Sequence, residues 1–347
     1  MASIDLRSDT VTLPSSAMRQ AVFEAEVGDD VFGEDPTVNH LEKMAAERMG
    51  KEGGLFVASG TMANSVCVLT HCGRGEEVIL GDKSHMFLNE SGAMSAVGGI
   101  HPHTVVNQPD GTMRPEDIEA AIRGSKVHLP RSRLICLENT HNWCSGAALS
   151  AEYISSVAEL AKRHGLLLHL DGARIFNAAI ALGVDVKELT RGVDSVSFCL
   201  SKGLSAPVGS VVCGSGDFIA EARRARKVLG GGMRQAGIIA AAGIVGLEEM
   251  VERLAEDHVN ARHLAEGIAH IDGLSIDIAA VQTNIIYFDL VSNRLNVEEF
   301  LRRLEQKGIK LLCTGRPARF RMVTHYGIEA EDIDAALAGL REVMKVT

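Results

Sequence analysis

Apolar and polar positions alternate in two different ways along this chain. From Leu55 onward, short apolar runs recur between stretches with helical periodicity. The runs predict strands at Leu55–Ala58, Glu77–Gly81, Thr104–Val106, Arg133–Glu138, Leu166–Asp171, Ser195–Leu200 and Ser210–Gly214. The intervening patterns predict helices at Met62–His71, Pro115–Ile122, Ala151–His164 and Asp217–Val228. In the third of these, Ile154, Val157, Ala158 and Ala161 form an i, i+3, i+4, i+7 stripe. Apolar strands alternating with helices predict an α/β fold with a mainly parallel sheet covered on both faces.

The flanks read differently. Ahead of Leu55, polar loops surround a helix near Ser16 to Glu26, and Pro36 to Met49 reads as a second helix. A long helical pattern starts near Gln235 and runs, with a break, to about Gly267. The remainder predicts strand Thr283–Asp289, helix Val297–Lys307, strands Lys310–Cys313 and Phe320–Thr324, and helix Ala330–Lys345. That order implies a small α+β domain with antiparallel pairing. The expected division is therefore residues 1–245, an N-terminal arm and large α/β domain, and 246–347, a linking helix and small C-terminal domain.

Composition narrows the function classes. The chain has 347 residues and a formal net charge of −10, with no long basic run. Generic nucleic-acid binding is not expected. The longest apolar run, Ala236 to Leu247, is too short to span a bilayer, so no membrane partner is expected. The N-terminus turns charged at once and does not read as a signal peptide. The seven cysteines are scattered without a Cys-x-x-Cys pair, which argues for a reduced, cytoplasmic protein rather than a disulfide scaffold or zinc site.

The chemistry concentrates where apolar runs end. One run ends at Asp171, followed by Gly172-Ala173-Arg174; another ends at Leu200-Ser201-Lys202-Gly203. Ligands of open α/β sheets sit at strand carboxyl ends. A lysine there can form a Schiff base with an aldehyde cofactor, and an aspartate can hold a pyridinium nitrogen protonated; together they point to pyridoxal 5'-phosphate. A solvated Lys202, and an Asp171 that caps a helix and pairs with Arg174, are the plainer readings. Ser59-Gly60-Thr61 forms a turn between a strand and a helix start, suited either to a phosphate or to simple capping. His85 and His141 each follow a strand and could stack on a ring or move a proton. Arg321 lies on a strand whose alternation puts Arg319, Arg321 and Val323 on one face; it could clamp a carboxylate or be an ordinary surface arginine. The basic segment from Arg223 to Arg234 includes three successive glycines, Gly230 to Gly232, which suggest close backbone approach at a subunit contact. From there a neighbouring protomer could donate Lys227 or Arg234 to the phosphate region.

Taken together, the segments Ile4-Asp5-Leu6-Arg7-Ser8-Asp9-Thr10-Val11-Thr12, Ser59-Gly60-Thr61-Met62-Ala63-Asn64, Asp171-Gly172-Ala173-Arg174-Ile175-Phe176-Asn177, Ser201-Lys202-Gly203-Leu204 and Gly230-Gly231-Gly232-Met233-Arg234-Gln235 resemble the low-specificity L-threonine aldolases. That resemblance spans essentially the whole chain. It implies the aspartate-aminotransferase fold (fold type I), pyridoxal 5'-phosphate, and an assembly of two dimers. It implies retro-aldol cleavage of L-threonine, L-allo-threonine and other L-3-hydroxy-amino acids to glycine and an aldehyde. The implied roles put the cofactor's Schiff base on Lys202, its ring nitrogen on Asp171, its phosphate on Gly60 and Thr61, and its ring face on His85. Arg174 is expected near the cofactor's phenolic oxygen and the substrate carboxylate, and Ser8 and Arg321 on that carboxylate, with Arg316 as a rival to Arg321. His85 and His141 are the candidates for the hydroxyl base. Trp143 departs from the family pattern and bears on the shape of the aldehyde pocket. The alternative readings are a β-eliminating lyase or a serine hydroxymethyltransferase-like enzyme of the same fold. A nucleotide-binding protein is disfavoured, because no Gly-x-Gly-x-x-Gly turn or Gly-Lys-Ser/Thr loop is present.

Overall fold

Five parallel strands and their neighbours carry every strand-end residue singled out above. The computed structural model describes residues 3–315 and 318–345, so Arg316 lies outside the described residues. The strands are β1 (Ile4–Asp5), β2 (Gly53–Val57), β3 (Glu77–Gly81), β4 (His101–Val105), β5 (Ser132–Glu138), β6 (Leu167–Asp171), β7 (Ser195–Cys199), β8 (Ser210–Gly214), β9 (Leu274–Ser275), β10 (Ile285–Leu290), β11 (Ile309–Lys310), β12 (Leu312–Gly315) and β13 (Arg319–Val323).

A seven-stranded sheet has the order β2-β8-β7-β6-β5-β3-β4. The run from β4 to β7 is parallel throughout, and β8 is antiparallel to both of its neighbours. The alternation of side chains explains how both faces are covered. Ile79, Ile135 and Leu137 point into the large core cluster, whereas Val78, Leu80, Leu134 and Cys136 point into a cluster on the opposite face. Helices Gly60–His71 and Gly216–Val228 complete that second face beside β2 and β8.

The C-terminal region forms the expected antiparallel sheet, ordered β12-β13-β10-β9. Helices Leu254–Ala269, Val297–Gln306 and Ala330–Met344 pack with it around Phe288, Phe300 and Phe320. The long helical stretch breaks between Glu249 and Leu254. The expected strand Lys310–Cys313 is two strands: β11 pairs with β1, and β12 pairs with β13. Buried Leu311 is the crossover between them. The N-terminal arm joins this second unit: Leu6 donates to Lys310 O at 2.8 Å, accepts from Val323 N at 2.9 Å, and lies in the C-terminal core. It thereby brings Arg7, Ser8 and Asp9 from the arm to the edge of the large sheet.

Candidate active site

Because β3, β5, β6 and β7 run parallel, their carboxyl ends deliver His85, His141, Asp171 and Lys202 to one edge of the sheet. In the β6–β7 register, Asp171 lies opposite Ser197. The 31-residue step from Asp171 to Lys202 is thus a right-sized crossover between adjacent parallel strands.

Asp171 is buried, and both of its oxygens accept hydrogen bonds. Ala173 N donates to Oδ1 at 3.1 Å and Asn64 Nδ2 to Oδ2 at 2.8 Å. Asn64 comes from the first turns of the helix that starts at Gly60. The same amide nitrogen donates to Glu90 Oε1 at 2.8 Å, and Glu90 in turn faces His85 Nδ1 at 2.9 Å. The ligand atoms of His85, Glu90 and Asp171 lie within 4.8 Å of one another, close enough to share a cation. However, Asn64 directs amide hydrogens at both carboxylates, which is the arrangement for a hydrogen-bonded site. Burial opposes a charge on His85, but the bond to Glu90 and the fields of Asp171 and Glu138 raise its pKa. Burial likewise raises the Glu90 carboxyl.

Glu138, at the end of β5, ties two loops together. Its Oε2 accepts from His85 N at 2.6 Å and its Oε1 from Asn142 N at 2.8 Å. Asn142 Oδ1 then accepts from Arg321 Nη1 at 2.8 Å, and the second terminal nitrogen of Arg321 donates to Arg7 O at 3.1 Å. Arg321 Nε is buried without a partner. Burial, then the nearby Arg174 guanidinium, lower the pKa of Arg321. A buried and a half-buried guanidinium converging in this way make a site for an anion.

Arg174 is itself held by Asp9, with Nε to Oδ2 at 2.6 Å and Nη2 to Oδ1 at 2.7 Å. Burial disfavours the Asp9 charge, yet Arg174, with Lys202 and His325 nearby, holds its carboxyl well below the usual range. Ser8 caps the turn Asp9–Val11, and its Oγ accepts from Thr10 N at 3.2 Å and Thr10 Oγ1 at 2.9 Å. The main chain of Lys202 is fixed by bonds from Ser205 N at 2.8 Å and Thr12 Oγ1 at 3.3 Å.

At the start of helix Gly60–His71, Ser59 Oγ caps Met62 N at 3.2 Å. The first-turn amides of Gly60 and Thr61 have no acceptor within the helix, so this end suits an anion. A Cβ on Gly60 would come within 2.9 Å of Cys199 Sγ, so only glycine lets this turn sit against β7. His141 is 1% exposed and both ring nitrogens lack a partner.

Not every expected residue joins this cluster within one chain. Arg234 pairs with Asp29 at 2.9 Å and is half-exposed. Lys227 packs its side chain at Gly232. Among the described residues neither contacts Lys202, Asp171 or Arg174. Sequence reasoning also passed over Asp9, Asn64, Glu90, Glu138, Asn142 and Tyr287, whose hydroxyl donates to Asn142 O at 3.2 Å. Asp9 and Asn64 stood inside the conspicuous segments, and Glu138 closes an apolar run as Asp171 does; Glu90 and Tyr287 had no such signal.

Comparison with known proteins agrees with this architecture. A family model described as beta-eliminating lyase matches residues 5–290. The Leishmania major threonine aldolase structure is similar with a TM-score of 0.84 at 19% identity, covering 98% of this chain and 99% of that one. A serine palmitoyltransferase structure from Sphingomonas wittichii gives a TM-score of 0.77 at 18% identity, covering 98% and 87%. These define a fold type I α/β enzyme. Low-specificity L-threonine aldolase 1 of Arabidopsis thaliana is 52% identical over 348 residues, covering 99% of this chain and 97% of the relative. The low specificity L-threonine aldolase of Escherichia coli (strain K12) is 43% identical over 339 residues, covering 97% and 98%. The chain belongs to the low-specificity L-threonine aldolase family.

Proposed function

We propose that this protein is a pyridoxal 5'-phosphate-dependent aldehyde-lyase that cleaves L-threonine, L-allo-threonine and other L-3-hydroxy-amino acids to glycine and an aldehyde. The observation that carries this reading is the convergence of Lys202, buried Asp171 and the Arg174–Arg321 guanidinium pair at one sheet edge. The donor set fits the cofactor: a helix start with free amides for a phosphate, a buried carboxylate for a ring nitrogen, and an amine for an aldehyde. The buried, unpartnered nitrogens of His141 are polar groups of the kind a ligand satisfies.

When bound, pyridoxal phosphate supplies a ring that accepts the electrons of the broken carbon–carbon bond. The remaining work falls to the chain. Arg321 and Ser8 orient the substrate carboxylate, with Arg174 beside them, and so select which bond stands perpendicular to the ring. Asp171 holds a proton at the ring nitrogen. His85 covers the ring face, and its Nδ1 is committed to Glu90, which leaves Nε2 to take a hydroxyl proton. His141 is the second candidate for that proton.

Self-association and a role for Lys227 and Arg234 across a subunit contact belong to the same reading, as does a homotetramer. Supporting it, Phe23 is 85% exposed and Phe32 74%, and Leu13 is also exposed, apolar surface of the kind a subunit contact would cover. No helix among the described residues is long and apolar enough to cross a membrane. A cytoplasmic setting, a part in forming glycine from threonine, and the functional division near residue 245 complete the proposal. The test is product release from L-threonine and L-allo-threonine by purified protein. Acetaldehyde and glycine are expected; 2-oxobutyrate with ammonia would instead indicate the β-eliminating alternative.

A further inference from the structure

Asn64 has all four of its side-chain hydrogen-bonding positions filled, and they force the direction of a longer chain. Nδ2 faces two carboxylates, Asp171 and Glu90, so that end must be the amide nitrogen. Oδ1 is then an acceptor only. It takes Ser197 Oγ–H at 3.1 Å and lies 3.2 Å from His169 Nε2. His169 must therefore carry its proton on Nε2, which leaves Nδ1 as an acceptor. Nδ1 is 2.9 Å from Ser195 Oγ, so the Ser195 hydroxyl donates to it. Ser195 Oγ in turn lies 2.8 Å from His71 Nε2, whose N–H is the donor that fits.

We infer that His71, Ser195, His169 and Asn64 form a one-way hydrogen-bonded chain that positions Asp171 from between the sheet and helix Gly60–His71, each member donating to the next. Its last donor fixes the oxygen that aims Asp171 at the cofactor's ring nitrogen, and so sets how firmly that nitrogen holds its proton. The chain runs along one face of the sheet, between side chains of β6 and β7 and helix Gly60–His71. His169 and Ser195 are fully buried. At its far end, the His71 ring stacks on Phe218 at 4.6 Å between centroids and lines an open surface cavity of about 760 Å³. Burial pushes His169 down to about 4 and His71 down to about 3. Both rings are thus neutral near pH 7 and able to take the tautomers that the geometry requires. A charged His169 would have to turn a second N–H on Ser195 and break the sequence.

The inference rests on the proposed cofactor and on Asp171 as its ring-nitrogen partner, so the test separates the two. In protein labelled with 15N-histidine and free of cofactor, His71 and His169 should both appear as neutral Nε2–H tautomers at pH 7. In holoenzyme reconstituted with 15N-pyridoxal phosphate, His169→Leu should move the ring-nitrogen resonance away from the pyridinium position. It should also weaken cofactor binding about tenfold, the size of one buried hydrogen bond. His169→Gln, whose amide nitrogen can reach the place of Nε2, should restore both readings towards wild type. Ser195→Ala, which removes a single hydroxyl, serves if the leucine variant fails to fold, and should shift the ring nitrogen in the same direction. An Nδ1–H tautomer at His169, or Leu and Ser195→Ala variants with the wild-type ring-nitrogen resonance, overturns the chain. Failure of the wild-type protein to take up pyridoxal phosphate overturns the functional reading instead.

Discussion

Asp9 and Arg174, 165 residues apart in sequence, form a two-pronged ion pair that is buried on both sides. The pair joins the N-terminal arm to the first turn after β6. It also fixes the guanidinium that stands beside Arg321. Loss of the carboxylate leaves Arg174 buried and uncompensated, and breaking such a pair costs about 3–5 kcal/mol. Asp9→Ala is therefore expected to lower unfolding stability by that order at pH 7, measured by urea denaturation. The native pKa of Asp9 is depressed, so its stabilisation is complete above the unfolded value of about 3.9. It is lost as pH falls through the lower native value. The difference between wild type and variant should be constant from pH 6 to 8 and shrink only in strong acid.

Arg321 reaches the site from the second sheet, braced by Asn142 and by the main chain of Arg7. Its role is expected to be substrate binding, with no part in holding the cofactor. Arg321→Ala should raise KM for the amino acid by about 10- to 100-fold, the equivalent of about 1.5–3 kcal/mol for hydrogen bonds to a charged group. The cofactor absorbance should remain. Loss of that absorbance would place Arg321 on the cofactor.

His85 and Glu90 share a hydrogen bond in a partly buried setting that also contains Asp171, Glu138 and Lys202. The net effect raises the His85 pKa above about 6.5, its ordinary value. Stabilisation from the charged imidazole is thus full below that value and fades as pH rises through the native pKa. Glu90→Gln removes the acceptor's charge. An NMR titration of His85 should show its pKa falling in the variant, and the stability gap between the proteins should be wider at pH 5.5 than at pH 9. An unchanged His85 titration would mean that Glu90 does not govern this ring.

Trp143 bonds Asn89 through Nε1 at 2.8 Å and lies 6.5 Å from the Tyr287 ring, centre to centre. With Lys83, Leu88 and Arg319 they line a cavity of about 540 Å³. Trp143→Ala should favour β-aryl over β-methyl substrates in kcat/KM. A shift of about tenfold corresponds to about 1.4 kcal/mol, within the range for one or two methylenes of pocket fit. An unchanged ratio would place the aldehyde elsewhere.

The large sheet was legible because its strands are continuous apolar runs closed by polar residues. Asp171 and Lys202 were legible for the same reason: polar groups at the ends of buried strands invite a chemical explanation. Asp9, Asn64, Glu90 and Asn142 were not assigned roles, because what makes them functional is a partner far away in sequence. Asn64 and Asp171 are 107 residues apart, and Asn142 and Arg321 are 179. Periodicity cannot report such pairings. Nor could it report helices His85–Leu88 and Ala93–Ala96, which are little longer than one turn. β9, with two residues, was missed on the same ground. β4 was placed too late because its first residues, His101 and His103, are polar and partly exposed on an edge strand.

The central claim is that the Lys202 amine carries the cofactor. Reduction of the yellow holoenzyme with borohydride, followed by proteolysis and mass spectrometry, tests it directly. The account predicts a single pyridoxyl adduct, on the peptide containing Lys202. An adduct on another lysine, or an unmodified Lys202 in protein that cleaves threonine, would contradict it.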